Sequence, residues 1–126
     1  MNKLIKTSLI LLIVFMTGCY YDTEERLYPV LSSNCDLSNV TFAATVKPIL
    51  QASCLNCHSN AKAVSDGGGI KIENYADVKT QALNGKLMGT VKHSSGFQAM
   101  PQGGGKLTDC EINQLQKWID NGILNN

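Results

Sequence analysis

The residues best equipped for chemistry in this 126-residue chain stand together as Cys54-Leu55-Asn56-Cys57-His58. Two thiols three positions apart can add to the two vinyl groups of one porphyrin. A histidine directly after the second thiol is placed to put an imidazole nitrogen on the iron, as c-type haem attachment requires. Two rival chemistries use the same CxxC spacing. A thioredoxin-like dithiol wants a preceding strand and a parallel sheet, and neither pattern occurs here. A zinc site needs four ligands, and Cys35, His93 and Cys110, the remaining candidates, are not spaced as a second knuckle. The pattern therefore points to one covalently bound haem c, held by Cys54 and Cys57 and ligated by His58. A second axial ligand has to come from elsewhere, and the candidates are Met88, His93 and Met100. A thioether is a soft ligand that favours ferrous iron, so a His/Met pair raises the reduction potential above that of two histidines.

The elements that must position these groups read as helices, with no convincing sheet. From Thr41 to Ser53 the apolar residues Phe42, Val46, Ile49 and Leu50 recur at spacings of three and four. Pro48 cannot sit inside an unbroken helix, so a start near Lys47 or a kink is expected. Ile70 and Ile72 read as an extended connector. Asn74 offers an N-cap for a helix through Tyr75, Val78 and Leu83, closed by Asn84-Gly85. The last helix is the best marked: Thr108 and Glu111 form a capping-box pattern, Ile112, Leu115 and Ile119 make an apolar stripe with Trp118 beside it, and Gly122 marks the stop.

Composition limits the rest. The chain is 44% apolar and 17% charged, with net charge +1 and no Lys/Arg cluster, so one modest domain is expected and nucleic-acid binding is not. At the N-terminus, Lys3 and Lys6 precede an uncharged run from Leu9 to Met16, which is too short to span a bilayer and has the order of a secretory signal. Met16-Thr17-Gly18-Cys19 resembles the lipobox of bacterial lipoproteins, which implies acylation of Cys19. The expected organisation is a signal over 1–18, a lipid-anchored tether over 19–34, acidic and polar through Tyr20 to Pro29, and a folded unit over 35–126.

From Cys35 to Gly122 the chain resembles the small class I cytochromes c found as domains of exported bacterial lipoproteins. The residues that carry the resemblance are Phe42, the run Val46-Lys47-Pro48-Ile49-Leu50 before the CxxCH motif, Tyr75, Met100-Pro101, and Leu107-Thr108 opening a helix with Trp118-Ile119 and Gly122. The resemblance implies an all-α fold of three to four short helices packed around one covalently bound haem, with the N- and C-terminal helices crossing beside it. It also implies Met100 as sixth ligand, presented by the glycine-bordered loop from Gly96 to Pro101. On that reading His93, among Lys92, Ser94 and Ser95, is solvated, and Met88 packs over the macrocycle. Tyr75 and Trp118 fit equally as haem neighbours or as core. With Cys19, Cys54 and Cys57 assigned, Cys35 and Cys110 remain as a pair in an oxidising compartment, and a disulfide is expected.

The function expected is one-electron transfer in the bacterial cell envelope, on the periplasmic side of a membrane, by a monomer that meets redox partner proteins. A six-coordinate iron leaves no substrate position, so no enzymatic activity is expected. The competing classes are a haem enzyme or gas sensor with an openable iron, and a zinc or disulfide structural module. Cys19→Ser is expected to release the protein from the membrane fraction or to stall it unprocessed, and a processed form that stays membrane-bound argues against lipidation.

Overall fold

The computed structural model describes residues 35–126, so the expected signal, tether and lipidated Cys19 lie outside the described residues. A π-helical segment, Phe42–Val46, leads into α1 (Lys47–Ser53), α2 (Leu55–His58), α3 (Tyr75–Leu83), α4 (Lys86–Val91) and α5 (Asp109–Asp120). The described residues contain no strand, and the fold is all-α as expected, with more helices than the three to four anticipated. Among the described residues no helix is long and apolar enough to cross a membrane.

The first helical stretch shows how Pro48 is accommodated. Thr41 caps the π segment, its hydroxyl accepting from Ala44 N–H at 3.1 Å. Val46 N–H then reaches Thr41 O at 3.1 Å, and Lys47 N–H bonds Phe42 O, each five residues back. The widened turn precedes Pro48, which lies in the first turn of α1, where its missing N–H is not needed. Of the two sequence expectations, a start near Lys47 or a kink, the first is met: the α-helix begins at Lys47, directly after the π segment.

The core is a single cluster. Val46, Val78, Leu115 and Trp118 are its most deeply buried side chains, and Phe42, Leu50, Leu87, Met88 and Ile112 surround them. Helix α5 has the full capping box, with Thr108 Oγ1 accepting from Glu111 N–H and the Glu111 carboxylate accepting from Thr108 N–H. Its buried face is Ile112, Leu115 and Trp118, while Ile119 is only partly buried, so Trp118 belongs to the centre of the stripe rather than its edge. The π segment packs on α5, α3 on α4 and α4 on α5.

Tyr75 and Trp118 are core residues with polar tips. Phe42 meets Tyr75 edge-on at 5.2 Å and lies 5.6 Å from the Trp118 ring. Tyr75 Oη donates to Ile123 O at 2.8 Å and Trp118 Nε1 to Leu124 O at 2.9 Å. These bonds draw the segment after α5 across the core. They hold Ile123 in a left-handed conformation, φ 54°, that a β-branched residue adopts only when its surroundings insist.

Cys35 and Cys110 are bonded to each other, with Cα atoms 5.5 Å apart and a sequence separation of 75. The bridge ties the segment ahead of the π turn to the first turn of α5, where Gln114 Nε2 also donates to Asp36 O at 3.3 Å. Replacing both cysteines by serine is expected to lower unfolding free energy by about 2–4 kcal/mol, read from denaturant titrations, because the unfolded chain regains a long open loop.

Candidate haem-binding site

Cys54 breaks the helix for one residue: it ends α1 and starts α2 with φ −126° and ψ −38°. The following turn is helical again, since His58 N–H bonds Cys54 O at 2.9 Å and Cys57 N–H bonds the same oxygen at 3.1 Å. Two cysteines three apart on one turn share a face. Cys54 is half-buried and Cys57 exposed, and neither is in a disulfide.

Past His58 the chain runs back on itself. His58 Nδ1 lies 2.9 Å from Ile70 O and Ile72 N–H bonds His58 O at 3.1 Å. A carbonyl only accepts, so the proton sits on Nδ1, and Nε2 is the nitrogen left to ligate a metal. The return is tight at Gly67, where an added Cβ would stand 2.6 Å from Cys57 O and 2.9 Å from His58 Nδ1. Only a residue without a side chain fits there.

His58 and Met100 line the same cleft. Two adjoining cavities share Cys54, His58, Ile70 and Met100 as walls, and the larger encloses about 430 Å³, the scale of a small-molecule cofactor rather than of a bare ion. Ile72, Leu87 and Val91 add apolar surface on one side, while Asn56, Gln98 and Gln102 stand toward the mouth. Leu87 and Val91, four apart on α4, turn one face of that helix to the cleft. An apolar slot with two thiols at its border, an imidazole whose second nitrogen is already anchored, and a thioether in its wall fits a covalently held haem.

The sequence-derived candidates separate cleanly. Cys54, Cys57, His58 and Met100 come together at the cleft. Met88 does not: it is buried in the core cluster and lines neither cavity, because Leu87 and Val91 occupy the cleft face of α4 and Met88 turns inward. The expectation that it packs over a macrocycle is corrected. His93 is exposed and outside the cleft lining, yet it is not simply solvated: its Nε2 donates to Met100 O at 3.0 Å. Tyr75 and Trp118 likewise contribute nothing to the cleft walls.

Electrostatics argues against the rival uses of the motif. Burial, with a smaller contribution from Glu111, pushes the Cys54 thiol up to about 11, so it stays protonated at neutral pH and is a poor redox nucleophile. Cys35 and Cys110, the extra thiols a zinc site would recruit, are spent on each other. Among the described residues no three His, Cys, Asp or Glu side chains gather as a metal cluster. Gly67, the Ile70 carbonyl and the Leu87–Val91 face are supports of the cleft that the sequence analysis does not single out; for the first of them the run Gly67-Gly68-Gly69 is the signal the sequence holds.

A family model described as cytochrome c oxidase, cbb3-type, subunit III matches residues 42–119, a stretch that contains Cys54, Cys57, His58 and Met100. No curated protein and no solved structure matches significantly. Gly67→Ala is expected to push His58 off its Ile70 anchor and to destabilise the haem-loaded protein by about 1–3 kcal/mol, seen as a lowered thermal midpoint and a perturbed Soret band.

Proposed function

The chain belongs to the family of cbb3-type cytochrome c oxidase subunit III, a cytochrome c domain family, and from that premise we propose that it is a single-haem electron carrier with His58 and Met100 as axial ligands. When bound, haem iron supplies the one-electron redox chemistry. The chain's own residues do the rest. Cys54 and Cys57 would hold the macrocycle as thioethers, each S–H adding across a vinyl group. Nε2 of His58 would ligate the iron, with the Nδ1 bond to Ile70 O fixing the ring. Met100 Sδ would be the second ligand. Ile70, Ile72, Leu87 and Val91 would shield the group from water.

The observation that carries this reading is the shared cleft: one imidazole and one thioether line it together with the first cysteine of the motif. A closed axial pair leaves no substrate position, which supports a carrier rather than an enzyme. The sequence pattern at the N-terminus supports a carrier tethered through lipid at Cys19 on the periplasmic side of an envelope membrane; exchange of electrons with redox proteins, as a monomer, completes the proposal.

Spectra of the protein made in a host that attaches haem c provide the test. Pigment should survive acid-acetone extraction, and the ferric form should show the weak far-red band of sulfur-to-iron charge transfer. Met100→Ala should erase that band, open the iron to exogenous ligands and lower the potential. A native ferrous protein that takes up carbon monoxide at once would instead favour the enzyme-or-sensor class, and extractable pigment would remove the haem c reading altogether.

A further inference from the structure

Helix α4 ends in a closed cap. Ser94 N–H bonds Gly89 O at 2.9 Å and His93 N–H bonds Thr90 O at 3.2 Å, the two crossed bonds that satisfy the last carbonyls of a helix. This closure puts His93 in the left-handed region, φ 56°. Glycine is the usual residue there, because a Cβ is disfavoured. Among the described residues six glycines serve the other left-handed positions apart from Ile123, so a histidine at this one is notable chemically. Its side chain has a use that glycine could not supply: Nε2 donates to Met100 O at 3.0 Å.

The other side of Met100 is tied to the same helix end. Met100 N–H donates to Thr90 O at 3.1 Å, so the peptide groups flanking the Met100 Cα are both fastened to the α4 terminus. That terminus is itself rigid, since Leu87, Met88 and Val91 are buried. Around it the chain is open: Ser95 to Gln98 and Gln102 to Lys106 are exposed and irregular. A methionine side chain has three rotatable bonds and adapts to whatever space it finds. Where its sulfur comes to rest is therefore decided by how firmly its backbone is held.

We propose that His93 is a positioning residue for the Met100 sulfur, its imidazole acting as a strut from the cap of α4 to the Met100 carbonyl. The inference rests on the reading of Met100 as an axial ligand and explains His93 without making it one. Nε2 cannot hold iron while it donates to the carbonyl, and the ring lies outside the cleft wall. The consequence is kinetic: without the strut, Met100 leaves the iron more readily and exogenous ligands replace it faster.

The test uses ferric holoprotein and added imidazole, with loss of the far-red band followed in time. His93→Gly keeps the left-handed cap and removes only the donor, so the melting midpoint should stay within about 3 °C of native while displacement of Met100 accelerates about five-fold, the factor one net hydrogen bond is worth. His93→Gln restores a terminal N–H at similar reach and should bring the rate back to within about twofold of native. A His93→Gly rate that matches native overturns the proposal, and so does a His93→Gln rate as fast as that of His93→Gly, which would assign the effect to something other than the donor. A native protein without the far-red band defeats the Met100 reading itself. That outcome is visible before any variant is made, so the two failures are told apart.

Discussion

The bond from His58 Nδ1 to the Ile70 carbonyl is the contact on which the rest of the site depends. It decides which imidazole nitrogen carries the proton and therefore which one is offered to the cleft. It also requires the chain to double back within twelve residues of leaving α2. That return places Ile70 and Ile72 as apolar wall and brings Gly67 so near to His58 that no side chain is tolerated. One hydrogen bond thus couples the imidazole's tautomer, the shape of the loop and the apolar wall of the cleft.

A chain of this size must keep a cavity open while burying enough surface to fold, and the two demands conflict. The structure separates them. Trp118, Leu115, Val46 and Val78 form a closed core, and the cleft opens beyond it along one face of α4. Helix α4 belongs to both: Met88 faces the core while Leu87 and Val91 reach the cleft. Stability withheld by the open slot is compensated at the periphery, where the Cys35–Cys110 bridge and the bonds from Tyr75 and Trp118 to carbonyls after α5 close the chain around its core.

What was legible in the sequence was what local chemistry dictates. The Thr108–Glu111 box needs only four consecutive residues to declare itself, and the geometry is complete. The glycine stop after α3 is equally local: Gly85 is left-handed, as a helix end requires, although Asn74 begins that helix without a side-chain cap bond. Helix α4 was illegible because six residues with a glycine and two β-branched side chains give no periodic signal, and packing alone makes it helical. The same limit hid the site's supports. That Ile70 lends its carbonyl, that Gly67 must be bare, and that His93 bonds the Met100 carbonyl are facts about residues brought together by the return of a loop, and spacing in sequence holds no trace of them.

The two sides of the cleft are built on different principles. His58 stands on a helical turn in the middle of its own binding motif, and its backbone is fixed by bonds of the kind every helix makes. Met100 stands in a loop with no helix to define it, so its position has to be borrowed from α4 through Thr90 O and His93 Nε2. On the proposed ligation by His58 and Met100, both side chains should keep the same geometry in either oxidation state, so that little has to move when charge does. The helical side meets that demand by construction. The loop side meets it only through its tethers to α4, so on the proposed ligation the stretch between Thr90 and Pro101 is where sequence changes would retune the iron.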